Sequence, residues 1–299
     1  MNILIAGGSG FLGRSLTSGL IAAGENVWIL SRQESLAFSP HVQVLRWDGR
    51  SPAGWGQRMN DMDVVVHLAG RTLASWPWTA SKRRVFHDSR VLPGQALVAS
   101  IAKADRKPRL FIQQSGVNFY GLRGSPADES TPPETDYLSR LTVQVEDATR
   151  KVEDHGVRHI ALRSAVVISR MNILLRLMAL PVYLFLGGPI GSGKQAMPWI
   201  HVQDWVNAVL HLIRSPDASG AYNLISPTPT SNADFYRALA RALHRPYWFP
   251  VPALPLRIFL GEMSVMIVDG RFVSPKRLLE AGFKFKFANL DDALSDLYG

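Results

Sequence analysis

Seven residues near the start of the chain have the types and spacing to hold a polyphosphate: Gly7-Gly8-Ser9-Gly10-Phe11-Leu12-Gly13. Read from Gly8, the run is G-x-G-x-x-G. It follows a short apolar stretch at 2–6 and opens a helical pattern, which is the context such a motif needs. A side chain at this turn would keep the backbone away from a pyrophosphate, and the unpaired N–H groups of the helix start attract it. Gly13 lets the helix lie close on its sheet. The expected contacts are Gly7, Gly10, Phe11, Leu12 and Gly13. An NAD-selective turn places an acid about 20 residues further on, at the end of the second strand. Here Ser31-Arg32 stands there instead. A guanidinium beside a hydroxyl suits a 2′-phosphate, so the cofactor predicted is NADP rather than NAD. Asp48 follows the third strand and is placed at the adenine amino group. Leu68-Ala69-Gly70 supplies small residues where a cofactor would pass closely.

The elements that position these residues follow from periodicity. Apolar runs at 2–6, 26–31, 42–47, 64–68 and 110–115 predict strands, and a sixth runs from 159 to 168. Helical spacing covers 11–24, 81–103 and 137–155. Strands alternating with helices predict an α/β fold, a Rossmann-type doubly wound parallel sheet. Beyond 170 prolines interrupt the pattern. The division expected is an NADP-binding domain over 1–170 and a smaller C-terminal α/β lobe over 171–299, a substrate or lid lobe interleaved with the end of the sheet.

The 299 residues are 46% hydrophobic and 19% charged, enough for a sizeable core. The absence of cysteine excludes disulfides, thiolate metal sites and cysteine nucleophiles, and no metal site is expected. The formal charge of +9 is scattered, with no basic stripe interleaved with aromatics, so no nucleic-acid partner is expected. The apolar run 171–190 is interrupted by Asn172, Arg176 and Pro181. It reads as a helix covering a pocket, with no membrane partner. Gly188 to Lys194 imitates a phosphate-binding loop, but Gln195 stands where Ser or Thr would bind Mg²⁺.

The glycine turn, Ser31-Arg32, His67-Leu68-Ala69-Gly70, Ser115 and Tyr120-Gly121 together resemble an atypical extended short-chain dehydrogenase/reductase. More narrowly, the chain is similar to the epimerase family that includes the bacterial YfcH proteins, whose C-terminal part is a domain of unknown function. Trp78-Thr79, Ser89-Arg90, Trp199-Ile200-His201-Val202 and Ala281-Gly282-Phe283 carry that likeness through most of the chain. The resemblance implies a Rossmann fold, NADP binding with Ser89 among the contacts, and oxidoreductase or epimerase activity on a small polar molecule, such as a nucleotide-linked sugar. It also implies a cytoplasmic setting, consistent with the lack of a targeting signal. Oligomeric state stays open.

Enzymes of this type use a Ser, a Tyr and a Lys four residues after the Tyr, the Lys lowering the phenol's pKa. Ser115 falls where the Ser belongs, at the strand end where ligands bind in such folds. The helix that should carry the pair has Leu141 four residues after Tyr137. In the alternative register, set from Glu146, Leu138 and Thr142 occupy the two positions. The pair is absent. Tyr120, Tyr137 (with Arg140 on its helix face) and His201 are the candidates to replace it. Each is equally readable as structure: Tyr120 as a core phenol, Tyr137 as a solvated helix residue, His201 as a packed imidazole. Arg163 could meet an anionic substrate or Asp204. Two functions follow: an NADP-dependent oxidoreductase or epimerase, or a non-catalytic NADP(H)-binding redox sensor. RNA binding by the basic surface ranks last.

Overall fold

The computed structural model describes residues 1–33 and 41–299. Nine strands form in chain order: β1 (Asn2–Ala6), β2 (Asn26–Ser31), β3 (Val42–Arg46), β4 (Val64–His67), β5 (Leu110–Gly116), β6 (Arg158–Ser164), β7 (Val166–Ile168), β8 (Trp199–His201) and β9 (Gly220–Leu224). Ten helices accompany them: α1 (Phe11–Ala22), α2 (Ala80–Lys103), α3 (Tyr137–Arg150), α4 (Ile173–Tyr183), α5 (Val202–Arg214), α6 (Asn232–Ala242), α7 (Ala253–Leu260), α8 (Val265–Val268), α9 (Lys276–Glu280) and α10 (Leu290–Tyr298). Seven strands make one parallel sheet in the order β3-β2-β1-β4-β5-β6-β9. The chain winds outward through β1, β2 and β3, then returns to place β4 on the other side of β1. That reversal opens a crevice at the strands' C-terminal ends.

The doubly wound parallel sheet predicted from periodicity is present. β1 and β4 are buried on both faces, as parallel strands between helix layers must be. The sixth strand differs from its expected extent. Ala165 makes the last bond to the main sheet, its N–H donating to the Leu224 carbonyl. The chain then turns so that β7 pairs with β8 in a separate two-stranded sheet.

Hydrophobic side chains from β1, β2, β4, β5 and β6 pack with α1 and α5 in one core; β9 closes its edge. A second core gathers α4, α6 and α10. The C-terminal segment returns to the first core through Leu278 and Phe283. It is fixed there by Asp204 on α5, a fully buried carboxylate that accepts from the backbone N–H groups of Lys286 and Phe287, both at 2.8 Å.

The apolar run after 170 forms α4, which continues through Pro181 to Tyr183 rather than stopping at it. Pro181 lies in the last turn. Leu175, Ala179 and Val182 face the second core. The glycines that imitate a phosphate loop serve packing instead: a Cβ on Gly188 would lie 2.0 Å from the Phe249 carbonyl oxygen. Among the described residues no helix is long and apolar enough to cross a membrane.

Candidate functional site

β1 ends under the glycine turn, and α1 begins at Gly10 with no side chain capping it. The four glycines of the turn differ in what they accommodate. A Cβ on Gly7 would meet the Ala69 backbone nitrogen at 2.7 Å, one on Gly8 would meet the Ile29 side chain at 2.7 Å, and one on Gly13 would meet the Gly7 carbonyl oxygen at 2.4 Å. These three let β1, β2, β4 and α1 approach. Gly10 is different. Its φ of −75° suits any residue, and its Cβ would meet only the Gly7 oxygen, at 3.4 Å. The bare backbone at Gly10 therefore leaves open space at an uncapped helix start, where a pyrophosphate fits. Phe11 and Leu12 turn their side chains onto the first core, so their part in such a site is limited to backbone N–H groups.

A cleft of about 390 Å³ runs from this turn. Gly7, Ser9 and Gly10 line its middle; Ser31, Arg32, Trp47, Asp48 and Arg50 line one end; Leu68, Ala69, Gly70, Arg71 and Ser89 line the other. At the arginine-rich end β2 closes on Ser31, with Arg32 next. The Ser31 hydroxyl accepts from the Gln33 N–H at 3.0 Å and is buried. Asp48 works locally: its carboxylate accepts from the N–H groups of Arg50 and Ser51 and from the Ser51 hydroxyl. Those bonds, the Arg50 N–H foremost, hold its pKa below the usual value.

At the other end, β4 finishes on His67. Its Nδ1 accepts from the Ala69 N–H at 3.3 Å, so the proton sits on Nε2, which donates to the Arg90 carbonyl at 2.9 Å. Burial pushes the imidazole's pKa down to about 4, so it is neutral. Ser89 accepts from the Arg71 N–H at 3.0 Å. Arg90 lies beneath Gly70: its guanidinium donates to the carbonyls of Phe86 and Arg71, and a Cβ on Gly70 would touch it at 3.1 Å. Arg50 and Arg71 escaped the sequence reading. An arginine next to a turn is common, and only the folded cleft singles these out.

The catalytic candidates are not brought together. Ser115 lines neither this cleft nor the next. Its hydroxyl points at α3 and donates to Glu146 Oε1 at 2.6 Å. Glu146 is 1% exposed and also accepts two bonds from Arg163, both at 2.9 Å. Arg163 thus meets neither Asp204 nor open solvent; its remaining nitrogen donates to the Tyr120 hydroxyl at 2.9 Å, and its guanidinium lies 3.3 Å from the Phe119 ring centre. Tyr120 is fully buried and donates to Asn223 Oδ1 at 2.8 Å. This corrects its candidacy: it is a core phenol with no open approach, and burial holds its pKa up. His201 is corrected likewise. It is 2% exposed at the end of β8, accepts from the Gln203 N–H on Nδ1, packs against Phe287 at 4.0 Å, and has Asp296 3.4 Å from Nε2. Trp199 beside it is buried and donates to Thr230, so it walls no cleft.

Tyr137 is placed otherwise. It lines a second cleft of about 750 Å³, bounded by Trp78, Arg83, residues 121–124 and 134–138, Arg140, and Glu262, Val265 and Asp269 of the C-terminal lobe. Its hydroxyl is buried yet has no hydrogen-bond partner. The Arg83 guanidinium lies 4.6 Å over its ring, and Trp78 packs edge-on at 5.7 Å. Burial raises the phenol's pKa, while the charges of Arg83 and Arg90 oppose the rise. Arg83 also pairs with Glu262, tying α2 to the lobe that covers this cleft. Among the described residues no cluster of His, Asp or Glu could hold a metal ion.

A parallel sheet with a glycine turn at its switch point, and a second cleft covered by a C-terminal lobe, is the architecture of the extended short-chain dehydrogenase/reductases. The profile described as the NAD dependent epimerase/dehydratase family matches residues 3–225, and a domain of unknown function, DUF1731, matches residues 251–297. The chain belongs to that epimerase/dehydratase family, as its motifs led one to expect. It is 34% identical to the epimerase family protein YfhF of Bacillus subtilis over 99% of this chain and 98% of that one. A crystal structure of the human epimerase family protein SDR39U1 with NADPH superposes with a TM-score of 0.88 at 30% identity, covering 100% of this chain and 99% of that chain. A UDP-glucose 4-epimerase from Thermus thermophilus, at 17% identity and a TM-score of 0.78 over 100% of this chain and 97% of that chain, shares the fold.

Proposed function

We propose that the protein is an NADP(H)-dependent oxidoreductase or epimerase of the extended short-chain type, acting on a small polar substrate in the cleft beside Tyr137. The observation that carries this reading is the first cleft: a backbone cradle at Gly10 joined to an end lined by Ser31, Arg32 and Arg50, with Asp48 committed to its own backbone and Ser51 bonds. A dinucleotide carrying a 2′-phosphate matches that distribution of charge. The NADPH in the human relative's structure supports the same choice. Gly7 and the start of α1 would hold the pyrophosphate, Ser31, Arg32 and Arg50 the 2′-phosphate, and Ala69, Gly70 and Ser89 the nicotinamide end.

When bound, the cofactor supplies or accepts a hydride. The chain's own contribution is proton handling and orientation. Tyr137 is protonated at neutral pH and its hydroxyl is uncommitted. It is the phenol available to donate to a substrate oxygen, with Arg83 and Arg90 stabilising the phenolate that results. The cleft's charges are mixed, Arg83, Arg123 and Arg140 beside Glu134, Asp136, Glu262 and Asp269, which suits a small polar substrate such as a nucleotide-linked sugar.

The test is a fluorescence titration with NADPH and NADH side by side, for the wild type and Arg32→Ala. NADPH binding much tighter than NADH, with the difference lost in Arg32→Ala, supports the cofactor choice; binding of neither overturns it. Turnover of a panel of carbonyl substrates by wild type and Tyr137→Phe then tests the phenol.

A second reading has its own observation. The α3 face that should carry the Tyr–Lys pair carries Leu138 and Thr142, and the Thr142 hydroxyl is bound to the Leu138 carbonyl. A protein that binds NADP(H) as a sensor needs no proton relay there. Tight NADPH binding with no oxidation across the panel selects this reading.

A further inference from the structure

Of the sixteen large apolar side chains exposed among the described residues, thirteen fall in two segments, 171–186 and 248–259. The segments meet where residues 185–190 run beside 248–251. Gly187 accepts from the N–H groups of Trp248 and Phe249, the Trp248 indole donates to the Phe185 carbonyl at 2.7 Å, and Ile190 bridges to Val251. On α4 and the residue that follows it, the exposed Ile173, Leu177, Leu180 and Leu184 recur at helical spacing, opposite the face held by the second core. α7 has no buried residue at all, and Ile258 and Phe259 are 70% and 74% exposed. Soluble monomers rarely leave large apolar patches open.

Within the two segments the charge is of one sign, although Arg257 on α7 is paired from outside them by Asp269 at 3.3 Å. No Asp or Glu occurs between Asp154 and Asp204, or between Asp234 and Glu262. Arg170, Arg176 and Arg245 stand in or beside the two segments with no carboxylate partner among the described residues; Arg170 and Arg245 lie over the rings of Tyr298 and Phe185. This decides between occupants. A two-fold contact between copies would set the patch against itself, bringing arginine to arginine with no acid in either segment to pair. An anionic bilayer complements both features: apolar and aromatic side chains enter the interface, and guanidinium groups meet lipid phosphates.

We propose that the face formed by α4, the 185–189 and 245–251 strands of chain beside it, and α7 docks on an anionic lipid surface. Docking is peripheral. The eleven residues of α4 rise about 16 Å, roughly half of a hydrocarbon core. The proposal replaces the expectation of no membrane partner; the expectation that this helix covers a pocket stands beside it, since Ile173, Leu177, Leu180 and Tyr183 line an open cleft of about 740 Å³ with Leu243 and Tyr298.

Co-sedimentation of the full chain with vesicles tests the assignment, using phosphatidylcholine alone and phosphatidylcholine mixed with phosphatidylserine. The expected result is binding to the mixed vesicles that falls with added salt, and little binding to phosphatidylcholine. Leu177→Ser and Phe259→Ser should each weaken it, and Arg176→Glu should weaken it roughly 20-fold. All three positions are exposed, so far-UV circular dichroism should be unchanged. Absence of binding to mixed vesicles overturns the proposal, as does binding unaffected by the three variants. Sedimentation velocity supplies the competing outcome: a dimer that Leu177→Ser dissociates would assign the face to a second copy.

Discussion

Gly10 and Gly13 sit three residues apart in one motif, yet they are glycines for different reasons. Gly13 is required by the protein, because a Cβ would press into the Gly7 carbonyl. Gly10 has neither a strained φ nor a close protein neighbour, so the fold does not require its bareness, and the proposed cofactor would use it. Gly13→Ala should therefore destabilise the fold by about 2–3 kcal/mol. Gly10→Val should change stability by no more than about 1 kcal/mol while weakening NADPH binding more than about tenfold. Denaturation midpoints and an NADPH titration of the two variants read this directly. The other residue-scale feature is the buried Arg163–Glu146 pair. Removing one partner strands a charge, so Arg163→Met should cost about 3–5 kcal/mol, and the double variant Arg163→Met/Glu146→Leu should recover most of it. Urea unfolding of the wild type, each single variant and the double variant gives the cycle. The glycine turn was legible in sequence because its chemistry is contiguous. The Glu146 network was not: its members come from β5, α3, β6 and the turn before Gly121, and nothing local marks them as neighbours.

At the scale of elements, β1, β2, β4 and β5 were legible because strands largely buried between helix layers must be apolar runs, and the edge strand β3, with no buried residue, was legible from its alternation. β9 was not. Its sequence, Gly-Ala-Tyr-Asn-Leu, reads as a turn, and it is a strand because Asn223 is satisfied tertiarily by Tyr120, Ser274 and Glu129. Helix α2 is held close to the sheet at Gly94, where a Cβ would meet Thr149 at 2.7 Å and the His67 ring at 3.4 Å. That packing buries two histidines between strands and helices: His67 on β4, and His159 on β6, which bonds Thr149 on α3 at 2.9 Å. Burial pushes both imidazoles down to about 4. The unfolded chain titrates them near 6.5. Between those values the unfolded state binds more protons, so stability rises with pH and is lost as pH falls from about 6.5 toward 4. Near pH 5 the two together should give a slope of roughly 2–3 kcal/mol per pH unit. His159→Gln should make the curve of unfolding free energy against pH visibly flatter over that window, whereas an unchanged slope would mean that His159 takes up its proton without unfolding.

The whole molecule is not divided where its two family segments are. The match to the epimerase/dehydratase profile ends at 225 and that of the C-terminal domain begins at 251, but the physical connections cross this gap. Leu278 and Phe283 complete the first core, and Arg277 donates to the carbonyls of Ala221 and Ser219 at the sheet edge. Asn223 on β9 donates to the Ser274 carbonyl, and Asp204 on α5 holds the backbone of residues 286 and 287. A chain ending near 250 would strip Asp204 of both its backbone donors and open the sheet-side core to water. Each such loss is large against a typical domain stability of about 5–15 kcal/mol. The truncated chain should therefore fail to fold, although it contains the entire parallel sheet and the glycine turn. By the same connections the full chain should unfold in one transition, with tryptophan fluorescence and far-UV circular dichroism giving the same urea midpoint. Tryptophans report on both cores, since Trp205 lies in the first and Trp199 in the second. Two separated midpoints would show that the lobes fold independently and that the C-terminal lobe is an appendage to the sheet. A single midpoint would make the lobe a structural part of the nucleotide-binding half, so that substitutions near residue 280 are felt at the cofactor cleft through stability alone.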